Sequence, residues 1–319
     1  MPVARRAGAD TRARPMPGTD QPGGLADILR QVRRIELRTR RMVASLTGGG
    51  YRSAFRGTGL EFEEVREYTP GDDVRAIDWN VTARAGRPYV KVFREERELT
   101  ILLLVDVSGS MRFGAIPGIS PRAKLALAAE AAAVVAVSAL RNRDRIGLVA
   151  FAERTRLHLP ARRGRGHALR LVREVLATGA DGRADLGHAL DELQRVAKRR
   201  TVTFLISDFI GSGERLAPAL ARAARRHDVI GLRVADPGEE RLPDGGAPLV
   251  IADPEGDGEL VLANGHHART AYAAAWAAQR AQVARAFAGS GCDLLDLRTD
   301  GATATALARF FSRRGGRRG

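Results

Sequence analysis

Asp106, Ser108 and Ser110 are the residues of this chain whose types and spacing best suit a chemical task. They follow the apolar run at residues 101–105, within the segment Asp-Val-Ser-Gly-Ser. Oxygen-bearing side chains are the ligands that hard cations prefer, and Mg²⁺ keeps several waters, so few protein ligands suffice. Alternate positions on a turning loop allow all three side chains to point inward. The segment therefore predicts a cation site where a buried strand ends.

A second strand end carries oxygens of the same kind. The apolar run at residues 202–206 leads directly into Ser207 and Asp208. In an open parallel sheet, ligands bind beyond the carboxyl ends of the strands, so two neighbouring strands would direct both clusters to one point. The alternative is that Ser-Gly-Ser is a turn and that Asp106 and Asp208 cap helices. We favour the cation site because the second cluster also follows an apolar strand.

The elements that position these residues lie beyond Leu99, where apolar runs alternate with helical segments. Strands buried on both faces between helices indicate an α/β fold, with a doubly wound, mainly parallel sheet flanked by helices. Ser120 and Pro121 suit the N-cap and the first position of a helix. An apolar hairpin at residues 248–263 is expected to extend the edge of the sheet. The predicted strands are residues 101–105, 146–151, 202–206, 229–234 and 294–297, and the predicted helices are residues 121–141, 165–177, 186–199, 214–226 and 267–288.

Four segments are expected along the chain. Residues 1–24 are rich in Pro, Gly and Arg without periodicity, which predicts a disordered basic N-terminus. Residues 25–98 contain an amphipathic helical stripe that ends at the glycines of positions 48–50, followed by a small β-rich unit. Residues 99–311 are expected to form the α/β domain, and residues 312–319 a disordered Arg/Gly tail.

The formal net charge of +15 does not by itself indicate nucleic-acid binding. Proteins that bind nucleic acid usually add aromatic platforms or a known module to a basic face, and neither occurs in this sequence. We expect solvated charge or an acidic protein partner, with a nucleic-acid-associated basic factor as the alternative. The single cysteine, Cys292, excludes an internal disulfide and fits a reducing compartment. Without a signal peptide or an apolar stretch long enough to span a bilayer, the chain is expected to be cytoplasmic.

Motifs of several enzyme classes are absent from the sequence. It has no Gly-x-x-x-x-Gly-Lys-Ser/Thr loop, so ATP hydrolysis would have to come from another chain. The six histidines include no His-Glu-x-x-His spacing. A metal-dependent hydrolase with Asp106 as nucleophile is an alternative, although such enzymes carry a second carboxylate where Ser108 stands. We therefore predict a protein that is not an enzyme.

Asp-Val-Ser-Gly-Ser and Ser207-Asp208 resemble the metal-ion-dependent adhesion site of von Willebrand factor A-like domains, over roughly residues 99–300. The resemblance implies that Ser108 and Ser110 bind the cation directly and that Asp106 and Asp208 act mostly through water. It also implies that a partner's carboxylate completes the coordination shell. The expected ion is Mg²⁺, with Mn²⁺ or Ca²⁺ as alternatives.

One position departs from that family's pattern. The family has a threonine on the loop before a middle helix, and this chain has Ala184 there, which carries no side-chain oxygen. Asp185 is the next residue, and it either substitutes as a metal ligand or caps the helix that follows. The departure predicts weak metal binding.

The segment from Tyr51 to Asn80, which includes Tyr-Arg-Ser-Ala-Phe-Arg-Gly-Thr-Gly and Thr-Pro-Gly-Asp-Asp-Val-Arg-Ala-Ile-Asp-Trp-Asn, resembles the signature of the bacterial domain of unknown function 58 family. Residues 89–97 continue the resemblance. Its charged residues either orient the β-rich unit on the sheet domain or form a docking face, and Trp79 could anchor either arrangement. Many members of that family carry membrane-spanning helices ahead of the signature, so this chain is expected to be a short soluble member.

The two resemblances together imply a function. Members of the family are often associated with MoxR-type AAA+ ATPases. We therefore expect a non-enzymatic, metal-dependent protein-interaction module, an adaptor for such an ATPase in the assembly or maturation of a protein complex. The A-like domain would present the cation to a partner's Asp or Glu, and an acidic client protein is expected beside the ATPase.

Overall fold

Near-continuous apolar runs such as Ile-Leu-Leu-Leu-Val form the strands of one central sheet, because only a strand covered on both faces can bury every side chain. The computed structural model describes residues 54–55, 61–94, 98–253 and 258–318. The strands are β1 (Glu61–Glu67), β2 (Tyr89–Arg94), β3 (Thr100–Asp106), β4 (Arg145–Phe151), β5 (Thr155–Arg162), β6 (Val202–Ser207), β7 (Asp228–Ala235), β8 (Leu249–Ala252), β9 (Glu259–Leu262) and β10 (Asp293–Arg298). The helices are α1 (Trp79–Ala85), α2 (Lys124–Arg141), α3 (Arg165–Ala177), α4 (Leu186–Val196), α5 (Leu216–Ala224), α6 (Pro237–Glu240), α7 (His266–Gly289) and α8 (Thr303–Arg318).

The central sheet has six strands in the order β10-β7-β6-β3-β4-β5. Every pair in it is parallel except β4 with β5, which is antiparallel. The doubly wound, mainly parallel sheet is thus confirmed, and β3 lies at its centre between β6 and β4. Strand β5 was not predicted from the sequence, and its side chains are mostly exposed or half-buried, as expected of an edge strand.

Helices cover both faces of this sheet. Alternating side chains of β3 divide between two hydrophobic cores, with Leu103 in one and Leu104 in the other. The first core includes residues of α2, α3 and α8, and the second includes residues of α4, α5 and α7. In α2 the buried residues are mostly alanines, which allow the helix to lie close to the sheet. Among the described helices none has the length and apolarity needed to span a bilayer.

One predicted helix start and one predicted strand pairing differ from the structure. Helix α2 begins at Lys124 with Ala123 as its N-cap, not at residue 121, because Ser120 is engaged elsewhere and its hydroxyl accepts the Ile116 N–H at 3.1 Å. The predicted apolar hairpin does form from β8 and β9, but these strands make a separate two-stranded sheet and do not extend the central one.

The N-terminal β-rich unit consists of the antiparallel pair β1 and β2, a 3-10 turn at Val74–Ala76 and helix α1. Its ion pairs are local: Arg66 binds Asp72 through two parallel hydrogen bonds, one of 2.8 Å and one of 2.6 Å. Trp79 is 69% exposed, so within the described residues it does not pack the unit against the sheet domain. Its role as the anchor of a docking face stays a prediction. The helix predicted between residues 25 and 50 lies outside the described residues, as does the predicted disorder of residues 1–24.

Phe55 connects the segment before this unit to the sheet domain. Its ring is buried and makes edge-on contacts with Phe204 of β6, at 6.1 Å between centroids, and with Phe311 of α8, at 5.7 Å. Aromatic pairs prefer such edge-to-face geometry, which adds to the burial of apolar surface. The start of the family signature therefore contributes directly to the core of the sheet domain.

The predicted disordered tail at residues 312–319 is wrong up to Arg318, because helix α8 continues through it. Arg314 explains the difference. Its guanidinium is buried, forms ion pairs with Asp228 and with Asp293 (Nε to Oδ2, 3.1 Å), and stacks 5.1 Å from the centre of the Phe55 ring. The arginine-rich composition suggested solvated charge, yet one of these arginines anchors the helix to the sheet.

We predict that Arg314→Ala lowers the free energy of unfolding by about 2 kcal/mol, because the half-buried carboxylates of Asp228 and Asp293 lose their counter-charge and the Phe55 ring loses its stacked guanidinium. Urea denaturation followed by circular dichroism measures this. Arg313→Ala is the matched control: Arg313 is exposed on the same helix, and its loss should change the free energy by less than about 0.5 kcal/mol. Equal effects of the two substitutions would contradict the anchoring role of Arg314.

Candidate functional site

Asp106 ends β3 and lies fully buried at the carboxyl edge of the sheet. Both of its oxygens accept hydrogen bonds: Oδ1 from the Ser108 N–H at 2.8 Å, and Oδ2 from the Ser207 hydroxyl at 2.6 Å. The pKa of Asp106 is raised to about 7: burial is the main cause, the nearby charge of Asp208 acts in the same direction, and the hydrogen bonds from Ser207 and Ser108 oppose both effects. Asp106 thus joins the ends of β3 and β6, as the sequence predicted for neighbouring strands.

The two serines of the predicted cation site lie side by side. Ser108 Oγ and Ser110 Oγ are 3.2 Å apart, at the start of the 3-10 turn Gly109–Arg112. Backbone hydrogen bonds hold the turn against the loop that contains Gly182, whose carbonyl accepts the Gly109 N–H at 2.8 Å. Both serines are buried, with 0% and 5% of their surface exposed. The structure therefore brings Asp106, Ser108 and Ser110 together, buried at the carboxyl edge of the sheet.

Asp208 lies on the neighbouring strand end, but its carboxylate is engaged by a lysine. Lys124 Nζ lies 2.6 Å from Asp208 Oδ2, and the Ile210 N–H donates to Oδ1 at 2.9 Å. The same ammonium donates to Glu239 Oε1 at 2.5 Å. Lys124 is fully buried, and although burial lowers its pKa, the charges of Asp208 and Glu239 outweigh that effect and raise it.

Lys124 and Glu239 were not predicted from the sequence as members of this site. Lys124 is the first residue of α2, and Glu239 lies in the short helix α6 that follows β7. Burial raises the pKa of Glu239 to about 7, and the attraction of Lys124 opposes this shift. The sequence did contain a signal for a buried ion pair, since Lys124 is a charged residue at the start of an alanine-rich helix that is mostly buried. A charged residue in such a place is almost never fully buried without a partner.

Asp185 serves as a helix cap in the structure. Its Oδ1 accepts the N–H of His188 at 3.0 Å as the N-cap of α4, and its Oδ2 lies 3.7 Å from the Arg215 guanidinium. This matches the capping alternative considered for the sequence. Ala184 before it offers no side-chain oxygen, so the loop contributes backbone contacts to the serine turn. The role of Asp185 as a metal ligand stays a prediction.

The oxygens present suit a cation only in part. Two ligands about 2.1 Å from an octahedral Mg²⁺ at right angles to each other lie about 3 Å apart, close to the separation of the two serine hydroxyls. Asp106 stands behind them with both oxygens occupied, which fits a role through water. In the parts of the chain that the structure describes, no three His, Cys, Asp or Glu side chains cluster as a metal site. An ion would thus have few charged protein ligands.

The strand order, with β3 central, one antiparallel edge strand, and oxygens at the ends of β3 and β6, defines a von Willebrand factor A-like domain preceded by a small β-rich unit. The family model described as "Protein of unknown function DUF58" matches residues 64–282. The chain belongs to this family, as the resemblance of residues 51–97 implied.

The chain is similar to several known proteins and solved structures. An uncharacterized protein of Mycobacterium tuberculosis is 38% identical over 286 residues, which cover 89% of this chain and 88% of that protein. The chain is also similar to the conserved hypothetical protein BatB from Bacteroides thetaiotaomicron (17% identity, TM-score 0.43, 68% of this chain and 99% of that one). A von Willebrand factor type A structure from Catenulispora acidiphila is a further match (15% identity, TM-score 0.40, 72% of this chain and 44% of that one).

We predict that Asp185→Ala lowers the free energy of unfolding by about 1 kcal/mol, because the N-cap bond to the His188 N–H is lost. Asp185→Asn should recover most of that loss, since asparagine caps helices as well as aspartate does. Chemical denaturation of the three proteins in metal-free buffer measures the effect. If Asn and Ala are equally destabilising, the Asp185 charge matters more than its capping bond.

Proposed function

We propose that this chain is a non-enzymatic protein-interaction module that binds Mg²⁺ weakly at Ser108 and Ser110 and uses the ion to receive an acidic side chain from a partner. It acts as an adaptor for a MoxR-type AAA+ ATPase in the assembly or maturation of a protein complex. The observation that carries the proposal is the pair of serine hydroxyls 3.2 Å apart in front of the buried Asp106. The other elements of the proposal come from the family resemblance.

The burial of the serines defines what a partner must present. Ser108 and Ser110 are 0% and 5% exposed, so a flat surface would not reach their hydroxyls and the partner must present a projecting Asp or Glu side chain. When bound, Mg²⁺ would supply the positive charge that attracts this carboxylate. Since waters would fill the positions that Ala184 leaves without a ligand, the ion should bind weakly until the partner's carboxylate joins it.

The groups of the site also favour binding over catalysis. The Ser207 hydroxyl donates to Asp106 and accepts the Phe209 N–H at 2.9 Å, so it is held in a structural role. Cys292 directly precedes β10, at the amino end of that parallel strand, whereas the site lies at the carboxyl edge of the sheet. Burial raises the pKa of its thiol to about 11, which keeps the thiol protonated at neutral pH. These observations support an interaction module.

We predict that Ser108→Ala combined with Ser110→Ala weakens Mn²⁺ binding at least tenfold, because the substitutions remove both proposed direct ligands. Electron paramagnetic resonance of free Mn²⁺ measures the affinity. Ser312→Ala is the matched control, because Ser312 is exposed on α8 and its hydroxyl lies outside the site. Unchanged Mn²⁺ affinity in the double variant would remove the serine pair as the cation site.

The function itself is tested with the purified MoxR-type ATPase from the same organism. We expect the two proteins to associate at millimolar Mg²⁺ in isothermal titration calorimetry. Addition of EDTA, or use of the double serine variant, should weaken that association at least tenfold. Association that is identical in EDTA would contradict the metal bridge. Absence of any association would contradict the ATPase partnership.

A further inference from the structure

Lys124, Asp208 and Glu239 form a buried ion cluster near Asp106, at the same carboxyl edge of the sheet as the serine pair Ser108 and Ser110. Lys124 belongs to α2, Asp208 follows β6, and Glu239 lies in α6, so the cluster joins three separate elements. The ammonium is 2.6 Å from Asp208 Oδ2 and 2.5 Å from Glu239 Oε1. Two carboxylate oxygens thus converge on one point that a positive charge occupies.

The cluster has more negative charge than the lysine neutralises. Glu239 is 8% exposed, and its second oxygen, Oε2, is buried without a hydrogen-bond partner in the described structure. An unpaired buried carboxylate oxygen is costly because its hydration is lost. Asp106 adds a further carboxyl close to Asp208. Removal of the ammonium would therefore leave two converging carboxylates and a third nearby.

This arrangement explains why Asp208 lies near the serine pair and yet has no free charge to offer a bound metal ion. A divalent ion near Ser108 would be repelled by the Lys124 charge and would find Asp208 Oδ2 already engaged. Charges in a buried environment interact strongly because solvent screens them little. The lysine thus opposes a second cation at this rim of the sheet.

We propose that the Lys124 ammonium is a resident cation of this rim, which neutralises Asp208 and Glu239 and so lowers the affinity of the neighbouring serine pair for a divalent ion. The inference rests on the proposed function only in placing the divalent ion at Ser108 and Ser110. The divalent ion then binds mainly when a partner contributes a carboxylate, because the chain's own Asp208 is paired with Lys124.

The test is Mn²⁺ binding at constant ionic strength, measured by electron paramagnetic resonance, with thermal unfolding to confirm that each protein is folded. Lys124→Gln keeps side-chain length and one donor but removes the charge, and we expect it to bind Mn²⁺ at least tenfold more tightly than the wild-type chain. Lys124→Arg keeps the charge and should show no such gain. Lys198→Gln removes an exposed lysine charge elsewhere and is the matched control. Addition of Asp208→Asn to Lys124→Gln should abolish the gain.

Several results would overturn the inference. One is Mn²⁺ affinity of Lys124→Gln within twofold of wild type, and another is an equal gain in Lys124→Arg, which would indicate space and not charge as the cause. If Lys124→Gln is unfolded without metal, Mn²⁺ should restore its fold, and a chain that stays unfolded at every Mn²⁺ concentration counts against the resident cation. A gain in Lys124→Gln together with partner binding that ignores EDTA would support the inference while rejecting the proposed metal bridge.

Discussion

The carboxyl edge of the sheet depends on one electrostatic constraint, the neutralisation of carboxyl groups that the fold buries there. Asp106, Asp208 and Glu239 are all at least nine-tenths buried, and Lys124 is the ammonium placed among them. Replacing water around such charges requires close partners, since an isolated buried charge costs several kcal/mol. The start of α2, the end of β6 and the position of α6 are therefore coupled through Lys124. The serine turn is held from the other side by Asp106.

This constraint separates two roles that the sequence pattern combines. Asp106 and Asp208 look equivalent in the sequence, because each follows an apolar strand and is accompanied by serine. In the structure, the oxygens of Asp106 accept from Ser108 and Ser207, whereas Asp208 accepts from Lys124 and from the Ile210 N–H. Asp106 supports the serine turn directly, and Asp208 belongs to the neighbouring ion cluster. A cation site drawn from residue types alone overstates the negative charge available to a metal.

Much of the fold was predictable because its signals are local. Five central strands and helix α3 follow from runs of apolar residues and their periodicity, and the parallel sheet follows from strands that are apolar on both faces. The edge strand β5 was missed since its residues, among them Arg156, His158 and Pro160, lack a continuous apolar run. The C-terminal helix was missed because an arginine-rich composition suggests solvation, and the burial of Arg314 between Asp228, Asp293 and Phe55 is a tertiary effect.

The candidate site shows the same division between local and long-range information. The serine pair and Asp106 lie within five residues of one another, so their proximity could be inferred from a strand and a turn. Lys124 meets Asp208 across 84 positions of the chain and Glu239 across 115, and no spacing rule connects residues so far apart. What could have been inferred is that a lysine at the head of a buried, alanine-rich helix needs an acidic partner. Helix α2 begins with Lys124 at the carboxyl edge of the sheet, so the acidic partner of this lysine had to come from the same edge.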